Sequence, residues 1–100
     1  RTKIREEVST YYGEHSSSLN CLVADNCIIE GEIENCIVFS GARISAGAKL
    51  KDCIIMEGGR ILSEASLKHV VTDRNVVVRN GRTMMGDENY PITIAKNSTI

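Results

Sequence analysis

Residues 35–51 read NCIVFSGARISAGAKLK, and residues 52–68 read DCIIMEGGRILSEASLK. Laid one above the other, they agree at eight of seventeen places: Cys, Ile, Gly, Arg, Ile, Ala, Leu and Lys. A repeat at fixed spacing takes precedence over any local reading of the chain. Large aliphatics recur every five or six residues, at Leu22, Ile28, Ile33, Val38, Ile44, Leu50, Ile55, Ile61 and Leu67. A helix face steps by three and four. A meander of strands carries turn signals about every 8–12 residues. Neither matches, whereas hexads are the signature of a parallel β-helix.

In that fold each hexad makes one short flat side and one bend. Three hexads make a coil of about eighteen residues, and the next coil stacks about 4.8 Å away. The seventeen-residue offset is then one coil with a residue trimmed at a corner. It predicts that Cys36 stacks on Cys53, Ile44 on Ile61 and Leu50 on Leu67. β-branched residues suit the flat sides, and the small Ala48 and Ala65 suit places where the chain turns inward. Gly41, Gly47 and Gly58 fall at corners that favour positive φ. A single Pro in the whole chain agrees with internal strands that donate to neighbours on both sides.

The phase extends upstream through NCLVADNCIIEGEIE (residues 20–34) and downstream through HVVTDRNVVVRNGRTM (residues 69–84), which places Val70, Val71, Val76 and Val78 on earlier copies. The expected fold class is all-β, a hexapeptide-repeat parallel β-helix of about four coils over residues 20–82. Residues 1–19 are polar and read as a linker or N-terminal wrap. Residues 83–100 read as a closing segment, a loop followed by a strand or partial coil around Ile92 and Ile94.

Composition bounds the rest. One hundred residues make one domain. No Trp, one Phe and three Tyr suit a narrow aliphatic interior. A net charge of −1 with both signs interspersed gives no footprint for nucleic acid or an anionic membrane. No apolar run approaches the ~20 residues of a membrane span and no signal segment opens the chain, so a cytoplasmic protein is expected. The chain starts at Arg1 and reads as part of something longer.

The four cysteines, at 21, 27, 36 and 53, show neither CxxC nor zinc-finger spacing. Cys27, Cys36 and Cys53 are expected to pack in the core as small hydrophobes. His15 and His69 are the only histidines. His69 aligns with Asn35 and Asp52 and reads as a polar corner rather than a catalytic base. Met84 and Met85 read as packing residues, one of them covering the foot of the solenoid or meeting a partner. Glu30, Glu32 and Glu34 read as solvated surface.

The wording of the repeat is more specific than its period. LVADNCIIEGEIENCIVFSGARISAGAKLKDCIIMEGG resembles the C-terminal domain of bacterial ADP-glucose pyrophosphorylases, and TKIREEVSTYYGEHS resembles the linker that precedes it. The closing ENYPITIAKNSTI is more similar to the regulatory-type subunit of that family than to the catalytic one. The resemblance implies a left-handed coil and a parent reaction that makes ADP-glucose and pyrophosphate from ATP and glucose 1-phosphate. It also implies a regulatory and assembly role in glycogen biosynthesis. No glycine-rich phosphate loop or strand–glycine–helix unit is present. No catalytic residue, metal site or cofactor is therefore assigned to this chain, and ATP and Mg are expected only on a separate catalytic domain. The implied partners are that domain, the other subunits of a tetramer and a sugar-phosphate effector, with self-association of the chain itself.

Arg43 and Arg60 fall at the same place in consecutive coils, as do Lys51 and Lys68. Like charges stacked in this way call for a compensating anion. The two arginines are candidates for an effector or anion site, against a solvated column relieved by Glu57, Glu64 and nearby acids. Arg74, in VTDRNV, stands where the family writes a lysine associated with activator binding, and is a third candidate. Two other readings stand beside this one: a hexapeptide acyltransferase using acyl-CoA, and the architectural β-helix of another sugar-nucleotide pyrophosphorylase.

Overall fold

The computed structural model describes residues 9–100. Within them the chain winds into a three-sided parallel β-helix of fifteen short strands, five to a side. The first side stacks β1 (Tyr11–Tyr12), β4 (Ile28–Ile29), β7 (Arg43–Ile44), β10 (Arg60–Ile61) and β13 (Val77–Val78). The second stacks β2 (Ser17–Leu19), β5 (Glu32–Glu34), β8 (Lys49–Lys51), β11 (Ser66–Lys68) and β14 (Thr83–Met85). The third stacks β3 (Leu22–Val23), β6 (Ile37–Val38), β9 (Ile54–Ile55), β12 (Val70–Thr72) and β15 (Ile92–Ile94). Every one of these strand pairs is parallel, and the repeat is seventeen residues in the register of Ile44 on Ile61 and Leu50 on Leu67.

Alternation along these strands sends one residue in and its neighbours out. The interior is a stack of aliphatics: Ile29, Ile44, Ile61 and Val78 behind the first side, Ile33, Leu50 and Leu67 behind the second, Val38, Ile55, Thr72 and Ile94 behind the third. Each fully buried large aliphatic stabilises the fold by roughly 1.5–3 kcal/mol. Ala48 and Ala65 are fully buried at one bend, and Met84 tucks under Leu67 while Met85 points to solvent.

Two of the expected core positions are out of phase. Leu22 is 71% exposed and Ile28 lies on the outer surface; Val23 and Ile29 take the inward places. The coil that contains them advances fifteen residues, not seventeen, as the pairings Leu22↔Ile37 and Ile28↔Arg43 show. The shortening lies between Ile29 and Ile33, where the chain cuts the corner at Gly31. A Cβ on Gly31 would lie 2.5 Å from the Ala48 carbonyl oxygen and 2.7 Å from that of Ser45. Only a residue without a side chain fits there, so two residues drop out of the bend and a hexad count upstream slips by one.

Strands also occur inside the polar segment read as a linker: β1 pairs with β4 and β2 with β5, extending the stack by a further tier. The rest of that segment, residues 1–8, lies outside the described residues. At the other end Asp87 and Tyr90 bridge a tight turn. β15 then pairs with β12, and the chain ends against Val77.

Candidate functional site

The candidate arginines lie on the first side. Its outward column runs Tyr11, Ile28, Arg43, Arg60 and Val77, in direct parallel register. Arg43 and Arg60 are therefore brought together, one strand spacing apart and both exposed. A groove of about 650 Å³ opens beside them, lined by Tyr11, Glu30, Arg43, Ser45, Arg60 and Leu62. That volume is in the range of small-molecule sites. Two guanidiniums on adjacent strands present donors suited to a phosphate or carboxylate in bidentate geometry.

The acid in this groove is Glu30, one column over from the arginines, rather than Glu57 or Glu64. Glu64 instead sits at a corner with φ of 64°, against Gly47 in the coil above. Glu30, Glu32 and Glu34 do not form one patch. The bend at Gly31 puts Glu30 on the first side and Glu32 and Glu34 on the second. Arg74 stands apart, on the exposed corner before β13 and outside the lining of the groove. The Asp73 carboxylate accepts the backbone N–H of Arg74 at 2.7 Å, an interaction that shapes the turn and leaves the guanidinium outside it.

A second arrangement was only partly legible from sequence. Asn20, Asn35, Asp52 and His69 occupy one corner in four successive coils, all left-handed, with φ between 54° and 56°. Asn tolerates this conformation better than most residues, and His is enriched in it as well. The side chains form a ladder: Asn20 Nδ2 donates to Asn35 Oδ1 at 3.0 Å, and Asn35 Nδ2 donates to Asp52 Oδ1. His69 Nε2 lies 3.6 Å from Asp52 Oδ2. His69 is thus a rung of a structural corner, as its alignment with Asn35 and Asp52 implied.

The cysteines next to this corner are structural in a way their hydrophobicity did not show. Cys36 and Cys53 are buried and Cys21 is half-buried. Each thiol donates to the carbonyl two residues back: Cys21 to Leu19 at 3.3 Å, Cys36 to Glu34 at 3.2 Å and Cys53 to Lys51 at 3.2 Å. Cys21 Sγ also accepts from the next coil, the Cys36 N–H reaching it at 3.3 Å. The neighbouring Cys53 side chain, and then burial, push the Cys36 thiol well above its ordinary range. Cys27 lies at another bend, where its N–H is taken by Thr10 Oγ1 at 3.2 Å and its thiol donates to the Phe39 carbonyl at 3.2 Å. Among the described residues no three His, Cys, Asp or Glu side chains gather in a way that could hold a metal ion, and no helix is long and apolar enough to cross a membrane.

Known proteins share this sequence at two levels. Residues 6–90 match the family described as GlmU-like, C-terminal hexapeptide. The glycogen biosynthesis protein GlgD of Bacillus subtilis is 50% identical over 95 residues, which is 95% of this chain and 28% of that protein. GlgD of Geobacillus stearothermophilus is 36% identical over 47 residues, 47% of this chain and 14% of the relative. A glucose-1-phosphate adenylyltransferase of Fusobacterium nucleatum is 36% identical over 52 residues, 50% of this chain and 14% of the relative. The chain thus spans less than a third of the length of the relatives it matches.

Proposed function

Because this chain belongs to the GlmU-like C-terminal hexapeptide family, we propose that it is the regulatory and assembly domain of a glycogen-biosynthesis subunit of the glucose-1-phosphate adenylyltransferase type. The observation that carries this reading is the 50% identity to GlgD across 95 residues. An aliphatic hexad alone would be shared by many β-helices. Identity at this level over almost the whole solenoid includes its corners and outer faces as well.

In this reading the complete protein is cytoplasmic and works within a tetramer that converts ATP and glucose 1-phosphate to ADP-glucose and pyrophosphate. ATP and Mg bind a catalytic domain, and this chain bears on that reaction from outside it. Its own contribution is a rigid three-sided post. One side carries the arginine groove, and the others are free to meet the catalytic domain and neighbouring subunits.

The groove is proposed to take the phosphate of a sugar-phosphate effector. Arg43 and Arg60 would bracket the anion from adjacent strands, relieving their mutual repulsion. Ser45 lies in the groove as a further hydrogen-bond donor, and Glu30 disfavours anions too bulky to avoid it. Arg74 is proposed as a separate effector contact on its own corner.

Titration with glucose 1-phosphate and with inorganic phosphate, followed by amide chemical shifts, tests the site. Saturable shifts at Arg43, Ser45 and Arg60 are expected, with at least a tenfold loss of affinity in R43A/R60A. R74A reports the separate corner. Absence of saturable shifts, or binding unchanged in R43A/R60A, would overturn the groove assignment. Saturable acetyl-CoA binding in its place would favour acyl transfer instead.

A further inference from the structure

The second side of the prism carries a charge pattern that complements itself. Its two outward columns run Ser17, Glu32, Lys49, Ser66, Thr83 and Leu19, Glu34, Lys51, Lys68, Met85. Acids occupy one tier and bases the next, with Glu32 directly opposite Lys49 and Glu34 directly opposite Lys51. All four side chains are exposed. Leu19 and Met85, at the two ends of the face, are 63% and 64% exposed.

We infer that this face is an interface for a second copy of the chain, packed antiparallel about a two-fold axis that runs along the strands between β5 and β8. In that arrangement each residue of β5 faces the corresponding residue of β8 in the other copy. Glu32 meets Lys49 and Glu34 meets Lys51, each twice by symmetry. Ser66 and Lys68 of β11 meet Ser17 and Leu19 of β2, and no like charges oppose one another. The two other simple arrangements fail. With the solenoids parallel, Glu32 would face Glu34 and Lys49 would face Lys51. With the axis on β8 itself, lysines would face lysines at the centre. Isologous contacts require self-complementarity of this kind, and charge complementarity selects partner and register.

The pattern also sets the strength. The face spans four strand spacings, roughly 19 Å, and only three residues along each strand. It is smaller than the ~800 Å² per partner of a standard stable interface. The dimer is therefore weak, reversible and sensitive to salt. The inference rests on the assembly half of the role proposed above and is independent of the arginine groove.

Sedimentation equilibrium on the chain, on E32K/E34K and on K49E/K51E tests it, with circular dichroism as the check of folding. The parent chain is expected to dimerise, with association weakening about tenfold or more from 50 to 500 mM salt as the charges are screened. Each variant alone is expected to be monomeric, because the facing strands β5 and β8 then carry one sign. An equimolar mixture is expected to form a heterodimer tighter than the parent dimer. Folded variants that still associate as the parent does would overturn the inference. So would a mixture that stays monomeric, or association indifferent to salt. Loss of association in L22D with the charge variants unaffected would assign the dimer to the third side instead, where Leu22, Ile37 and Ile54 form the outward column. A monomer that still binds phosphate would overturn the dimer and leave the groove standing.

Discussion

Thr72 offers the sharpest test of how the interior is built. It stands in the column Val38, Ile55, Thr72, Ile94, fully buried, and its hydroxyl oxygen has no hydrogen-bond partner. A buried polar atom left unpaired costs about 1–3 kcal/mol. Val has nearly the same shape as Thr and adds a methyl worth up to ~0.8 kcal/mol when the space accepts it. T72V is therefore expected to stabilise the fold by roughly 1–2 kcal/mol, part of the gain being lost to tighter packing against Ile55. For a domain of this size that raises the midpoint of thermal unfolding by about 4–8 °C per kcal/mol. T72S separates the two contributions: it keeps the hydroxyl and loses the methyl, so it is expected to be less stable than the parent. Urea and thermal unfolding of the three proteins at equal concentration supply the comparison. A T72V protein no more stable than the parent would mean that the hydroxyl is satisfied in solution, and the reasoning about an apolar column would fail.

Other positions give independent checks. G31A is expected to cost about 1–3 kcal/mol in urea unfolding, because its methyl meets two backbone carbonyls that cannot swing aside. C36A is expected to destabilise by a similar ~1–3 kcal/mol, since it empties a fully buried place and leaves the Glu34 carbonyl without its thiol donor. In the native chain Cys21 is expected to react with a thiol reagent well before Cys36 and Cys53, because it is the less buried and Cys36 is held in its thiol form. Equal reaction rates for all of them would show that the column opens readily. N35A is expected to lose about 1–2 kcal/mol, the cost of a left-handed corner without a tolerant residue, and a neutral result would show that the ladder adds nothing.

Much of this was legible in the sequence because a β-helix repeats its own address. Once residues 35–51 and 52–68 are aligned, the pairings Arg43↔Arg60, Ile44↔Ile61 and Lys51↔Lys68 follow directly, and all are present. The errors begin where the repeat changes length. Nothing in NCIIE (residues 26–30) separates Ile28 from Ile29, and the choice depends on a Gly31 bend tight enough to exclude a Cβ. Strands β1 and β2 were hidden for a related reason. SSL and YY contribute little to the core and become strands through hydrogen bonds to the coil beside them.

The site was less legible than the fold. Stacking of Arg43 on Arg60 was visible, but their neighbour Glu30 was not, because it reaches the groove from a coil of different length. The stacking of Cys36 on Cys53 followed from the seventeen-residue offset. The hydrogen bonds of these thiols to the carbonyls two residues back required the corner geometry. The self-complementary second side emerges only when the two outward columns are read side by side in register.

The central claim is that residues seventeen apart stack in parallel register around an aliphatic axis. Methyl–methyl nuclear Overhauser contacts in the chain measure this directly. Contacts from Ile44 to Ile61 and from Ile61 to Val78 are expected, along with a shorter, fifteen-residue contact from Ile29 to Ile44. Contacts confined to near neighbours in sequence, or an Ile28–Ile44 contact without one from Ile29, would contradict it.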